Sequence, residues 1–272
     1  MNYHTDEWIN DRVRGHYDEA LKYFPKDRII GIFLQGSQNY LLDMPTSDID
    51  TKLIVTPSLN DLIFNKQPIS TTHVRANNEH IDFKDVRLYL QTFRKQNLNF
   101  LEILFTPYFI LNTTYKDEWM RLVDANEDIA NFDPKRAINS MRGLAHNKYK
   151  QLYNNTPAHE SDIKRFGYSP KEFCHLKRIE EYIERYINGE KYADCLISKQ
   201  PEFLKNVKLG TYTLGDVQWM AKVSIDRIDE TCDKFIETCA AEPNQEVNDL
   251  LDDVQYNIMM TAIKTEVLRG KK

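Results

Sequence analysis

The feature that most constrains this chain is a change of periodicity near residue 112. From Asp27 to about Leu111, short β-branched or aromatic runs alternate with turns and short helices; from about Tyr115 onward almost every segment repeats at helical spacing. That switch excludes an all-α or all-β chain. It predicts a small α/β domain over residues 1–113 and a helical domain over 114–272, with a cleft between them. No internal repeat or low-complexity stretch interrupts either half.

Three strands are legible in the first half. Arg28-Ile29-Ile30-Gly31-Ile32-Phe33-Leu34 is apolar, β-branched and soon followed by Gly36, which predicts a buried strand. Asp50-Thr51-Lys52-Leu53-Ile54-Val55-Thr56 is a second, stopped by Pro57, and His80-Ile81-Asp82-Phe83 is a third, after the turn-like Asn77-Asn78. Helices are expected over Glu7–Tyr23 and Val86–Gln96, the latter capped by Asp85. In the second half, Pro134 opens one helix with Ile138, Met141, Ala145, Tyr149 and Leu152 on its inner face. Ser169-Pro170 opens another, ended by Asn188-Gly189. Two longer helices over 213–239 and 246–269 close the chain.

Composition narrows the classes. Of 272 residues, 41% are hydrophobic and 28% charged, which argues for a globular chain rather than a disordered one. Lysine plus arginine number 36 against 41 acidic residues, a net charge of −5, so nucleic-acid contact needs a local basic patch. No apolar run reaches the ~18 residues of a membrane helix, and the Met1–Glu7 stretch does not read as a signal peptide. Cys174, Cys195, Cys232 and Cys239 form no CxxC pair, consistent with reduced thiols in a cytoplasm. A membrane partner is not expected, and oligomeric state is not legible.

The chemistry concentrates in residues 34–50. A strand runs into Gly36-Ser37, then a short helix, a turn at Pro45, and a second strand opening with Asp48-x-Asp50. Glycine lets backbone approach a ligand closely, and N–H groups at a helix start favour a phosphate. Asn39 follows the turn and is a candidate to line the same pocket, as is Tyr40, which reads equally well as a core aromatic. Asp48 and Asp50 are two apart, so both leave one face of the strand and repel each other. Lys52 can neutralise one of them, whereas a divalent cation relieves the pair. Mg²⁺ favours one or two carboxylates plus substrate phosphate oxygens. The plainer alternative is an Asp- and Ser-rich turn with Lys52 pairing Asp50.

Gly-Ser, ten residues and Asp-x-Asp, flanked by strands, resembles the DNA polymerase β-type nucleotidyltransferase superfamily. The resemblance implies a mixed sheet with flanking helices, NTP as substrate, and two Mg²⁺ or Mn²⁺ ions ~3.5–4 Å apart. It also implies a third carboxylate on an adjacent strand. Asp82, in His80-Ile81-Asp82-Phe83, supplies that residue, so Asp48, Asp50 and Asp82 become the expected catalytic and metal-binding set. Asp85 is the competitor, but its position favours capping. A narrower resemblance runs through Ser47-Asp48-Ile49-Asp50, Asp85-Val86-Arg87 and Asn97-Leu98-Asn99-Phe100-Leu101-Glu102-Ile103-Leu104. It is to predicted nucleotidyltransferases associated with bacterial and phage RNA-repair ligases. Here Leu98 replaces a proline of that pattern, and Phe83-Lys84 replaces a glycine-tryptophan pair.

The helical half carries two basic stripes. Arg142, His146 and Lys150 recur every four residues on one helix; Lys171, His175, Arg178, Tyr182 and Arg185 recur at 4, 3, 4 and 3 on another. As functional residues, Lys171, His175 and Arg178 would bind nucleotide, and Arg142, His146 and Lys150 would contact acceptor or phosphate. As plain structure, they are solvated helix faces paired with Glu172, Glu180, Glu181 and Glu184. The expected activity is transfer of an NMP from an NTP such as ATP to a hydroxyl, with RNA (a tRNA or an RNA 3′ end) as the first choice of acceptor. A toxin-like transferase acting on protein or a small molecule, and a non-catalytic nucleotide- or RNA-binding module, are the alternatives.

Overall fold

The computed structural model describes residues 2–157 and 159–269. Five strands form one mixed sheet: β1 (Ile29–Gln35), β2 (Asp50–Val55), β3 (Ser70–Val74), β4 (His80–Asp85) and β5 (Phe109–Leu111), in the order β3-β4-β2-β1-β5. β2 and β4 run parallel, and the other neighbours are antiparallel. Around the sheet come α1 (Asp6–Ala20), α2 (Leu59–Ile63), α3 (Val86–Arg94), α4 (Leu98–Leu101), α5 (Lys116–Asp124) and α6 (Asn126–Ala130). There follow α7 (Pro134–Gln151), α8 (Glu160–Phe166), α9 (Pro170–Ile187), α10 (Tyr192–Leu196), α11 (Pro201–Lys208), α12 (Leu214–Thr238) and α13 (Gln245–Arg269). The α/β sheet followed by a helical region is thus the expected fold class. None of the described helices is long and apolar enough to cross a membrane.

The strand faces explain the burial of β1. Ile32, Leu34, Leu53, Val55, Ile81 and Phe83 share one face and pack with Ile9, Val13 and Ala20 of α1. The opposite face carries Phe33, stacked on Trp119 of α5 at 4.7 Å, together with the polar side chains of Gln35, Asp50, Lys52, His80 and Asp82. Gly31 is needed where β5 closes on β1, because a Cβ there would lie 2.8 Å from Leu111 and 2.9 Å from Phe33.

Two compact units divide the chain differently from the expected boundary at 113/114. One runs from the N-terminus to Phe132 and is rejoined from Pro243 onward; the other is Asp133–Glu242. The last helix, α13, belongs to the sheet-bearing unit. It buries Val247, Leu251, Val254, Ile258 and Ala262, while Arg94 donates to Asn248 and Asp252, and Arg121 pairs with Asp253 at 2.7 Å. Helical periodicity specifies an apolar face but not its partner, so the return could not be read from spacing. β3 and β5 are also additions. β3 is mostly exposed and β5 has three residues, so neither gives a strong apolar signal.

In the second unit, α9 packs against α7, α11 and α12, with Phe173, Leu176, Ile179 and Ile183 buried. Cys174, Cys195 and Cys232 are buried thiols, Cys195 donating to the Glu190 carbonyl, and Cys239 is a half-buried one.

Candidate metal centre and nucleotide turn

The turn after β1 has the geometry that its glycine anticipates. Gly36 sits at φ +103°, a region open to glycine and strained for other residues. It is followed by a single 3₁₀ turn, Ser37–Tyr40, rather than an α-helix. Gln35 lies opposite Asp50 in the β1–β2 ladder, so the Gly-Ser turn begins one residue beyond the level of Asp50. Gln38, buried at 2% exposure, donates to the Asp48 carbonyl at 2.8 Å and ties the two loops together. Asp43, buried in the connecting loop, accepts the backbone N–H groups of Tyr3 and His4 at 2.8 and 2.9 Å and lies 2.9 Å from the His4 ring. The N-terminal residues are thereby clasped to that loop.

Asn39, expected to line the pocket, is instead part of the frame. Its amide donates to the Leu34 carbonyl at 3.1 Å, and its oxygen accepts from the Thr106 hydroxyl at 2.7 Å. Tyr40 is a buried aromatic, as its plainer reading had it.

Asp48, Asp50 and His80 form a candidate metal centre. Each offers one ligand atom, and these atoms lie within 4.8 Å of one another. The parallel register puts Asp50 directly across from His80, so both side chains leave the same face at the same level. The His80 backbone N–H donates to Asp50 Oδ1 at 3.1 Å, and its Nδ1 lies 3.0 Å from the same oxygen. Burial and the neighbouring Asp48 raise the Asp50 pKa, with His80 acting against them. Two carboxylates facing one imidazole carry an excess of negative charge, and a divalent cation would relieve it. The donor set fits such an ion.

Asp82, expected as the third ligand, lies outside this group. The same register places it opposite Lys52, two residues further along β4. Its oxygens accept from Thr72 Oγ1 at 2.5 Å and Gln35 Nε2 at 3.2 Å. Lys52 does not neutralise the Asp48–Asp50 pair in the manner expected. It is buried, donates to Gln35 Oε1, and holds its ammonium 5.0 Å from the Phe100 ring centre. Burial lowers its pKa to about 8, with Asp82 and Asp50 opposing. Lys52, Gln35, Asp82 and Thr72 therefore form a closed polar rung beside the candidate centre. Asp85 caps α3, accepting the Arg87 N–H at 2.9 Å and pairing with the Arg87 guanidinium at 2.7 Å.

A second polar cluster underlies the DxD segment on the α1 side. Glu79 accepts from Arg12, from Arg75 at 3.0 Å and from the Ile49 N–H at 3.3 Å, and its Oε2 lies 2.8 Å from His16 Nε2. The other His16 nitrogen lies 2.9 Å from the Thr51 hydroxyl. Burial pushes the Glu79 pKa up, but hydrogen bonds from His16, Arg12 and Asn77 outweigh it and hold the group at about 2.

The second unit distributes its basic residues unevenly. Arg142 pairs with Asp233 at 2.6 Å, and His146 with Asp229 at 2.8 Å, both from α12; Lys150 is exposed. The α9 stripe is not a continuous solvent face. Arg178 and Tyr182 are buried, and Arg185 donates to the Ile197 and Asp194 carbonyls at 2.6 and 2.8 Å. Glu180 is buried too, accepting from Ser224 at 2.8 Å, so it is no solvated surface charge. Lys171 is exposed and His175 half-buried. Burial, then the charges of Arg178, Lys148, Lys171 and Lys208, press the His175 pKa well below its usual value, while Lys148 itself pairs with Glu172 at 2.9 Å.

His80, Gln35 and Gln38 are candidate-site positions that the sequence did not single out. His80 shares the strand parity of Asp82, but only the register of β4 against β2 reveals which of the two stands beside Asp50.

No family model matches the chain, and no curated protein matches it. Among solved structures it is similar to a nucleotidyltransferase-like protein from Exiguobacterium sibiricum 255-15, at 10% identity over 96% of this chain and 79% of that one, with a TM-score of 0.31. A likeness this distant assigns no chemistry to the site.

Proposed function

We propose that this protein is a metal-dependent nucleotidyltransferase of the polymerase β type, moving an NMP from an NTP to a hydroxyl acceptor with release of pyrophosphate. The observation that carries the reading is the placement of the positive-φ Gly36-Ser37 turn against Asp50, the first residue of the neighbouring strand, and against Asp48 in the loop just before it, whose carbonyl Gln38 holds. A triphosphate needs backbone donors that approach without a side chain in the way, and Gly36 allows that. It also needs charge compensation, which a cation on Asp48 and Asp50 would supply while polarising the reacting phosphoryl group. Gln38 fixes the Asp48 backbone relative to the turn, so both parts of the site keep one spacing.

RNA is the acceptor class we favour, in a cytoplasmic setting. The support is that Lys150 of α7 and Lys171 of α9 stand exposed on their helices, positive charge open to solvent in a chain of net charge −5. The test is incubation with each α-labelled NTP, Mg²⁺ or Mn²⁺, and total cellular RNA. Labelled RNA is the expected product; labelled protein or small molecule would move the acceptor class, and no labelled product with any NTP would overturn the reading.

A further inference from the structure

We propose, building on the nucleotidyltransferase reading, that the third ligand of the metal centre is the His80 imidazole, and that the site consequently selects a first-row transition ion over Mg²⁺. Asp50 and His80 occupy the same level of a parallel ladder, so their side chains meet without rearrangement. Together with Asp48 they hold three donor atoms within 4.8 Å of one another. The 3.0 Å separation of His80 Nδ1 and Asp50 Oδ1 matches the edge between adjacent ligands of an octahedral ion with bonds of ~2.1 Å. The His80 backbone N–H steadies the same Asp50 oxygen, so a single residue supports one ligand and supplies another.

Asp82 is held away from that role. Both of its oxygens are engaged, by Thr72 and Gln35, and the ladder sets it opposite the buried Lys52. Swinging Asp82 to an ion would break the rung and weaken the only compensation that a buried cation has from that strand. A nitrogen donor in place of an oxygen changes which ions fit. Mg²⁺ is hard and prefers oxygen, whereas affinity for imidazole rises along the series from manganese towards copper, with zinc also favoured.

The experiment compares Mn²⁺ and Mg²⁺ binding to the full-length protein by calorimetry, with electron-spin-echo detection of histidine nitrogen coupled to bound Mn²⁺. Wild type should bind Mn²⁺ about tenfold or more tightly than Mg²⁺ and show the coupling. His80→Ala should lose the coupling and bring the two affinities together, and His80→Asp, which restores a carboxylate, should favour Mg²⁺. Asp82→Asn should keep both the ion and the coupling. Bound Mn²⁺ without nitrogen coupling, coupling that survives His80→Ala, or loss of the ion in Asp82→Asn would each overturn the assignment. Nitrogen-coupled Mn²⁺ in a protein that transfers no nucleotide would instead leave His80 as ligand and sink the function proposed above.

Discussion

Two polar clusters lie on opposite faces of the same strands, built from nearly the same residue types, and they do opposite things. On the α1 face, one carboxylate, Glu79, faces two guanidiniums and an imidazole, and also accepts the Ile49 N–H. On the other face, two carboxylates, Asp48 and Asp50, face one imidazole. The first cluster is internally compensated, so it acts as a buried brace under the DxD segment. The second is left with surplus negative charge, the condition in which a cation binds. Adjacent residues, Glu79 just before β4 and His80 at its start, thus join separate clusters, one on each side of the sheet.

The sharpest way to break that contrast is to neutralise each cluster in turn. Asp48→Asn and Asp50→Asn should each abolish nucleotide transfer while the protein stays folded, since removing one of two repelling charges relaxes the site as it forfeits the ion. Activity assays and thermal melts on both variants check this; wild-type activity in either would defeat the metal assignment.

Glu79→Ala should do the reverse and cost roughly 3–5 kcal/mol of stability, because it leaves Arg12, the buried His16 and the Ile49 N–H without their acceptor, although Arg75 keeps Glu19. Denaturant titration measures it. The same brace should respond to acid. The Glu79 carboxyl falls from 4.5 unfolded to about 2 folded, so its contribution is full above the unfolded value and drains away as pH falls from 4.5 towards 2. Wild type should lose stability across that window more steeply than Glu79→Gln.

The α3 cap and the exposed end of the α9 stripe give smaller effects. Asp85→Asn should lose about a kilocalorie per mole and keep most activity, because asparagine also caps α3 although it no longer pairs with Arg87. Smallest should be Lys171→Ala, where removing one phosphate contact would lower the salt slope of RNA binding by about one unit. An unchanged slope would leave Lys171 as plain helix surface.

Sequence and structure divide these features unevenly. Gly36-Ser37 and the start of β2 at Asp50 were legible because a positive-φ turn and a strand's apolar run are local properties, whereas Asp48 lies in the loop before the strand that was expected to contain it. The cap at Asp85 was legible for the same reason, since it needs only the start of α3 beside it. The Thr106 partner of Asn39 was not legible, because it meets Asn39 through the fold rather than through spacing. The basic stripes looked continuous because helical spacing says nothing of the carboxylates that α12 brings to Arg142 and His146.

By itself, then, the chain determined which segments extend, which coil, and where a phosphate-sized turn meets two carboxylates, all of it governed by contacts within about ten residues. Only the tertiary structure decided that α13 returns to the sheet-bearing unit and that His80, not Asp82, stands beside Asp50. The physical reason is register. The strand pattern repeats every two residues, so His80 and Asp82 are equivalent in sequence, and only the hydrogen-bonded alignment of β4 on β2 tells them apart.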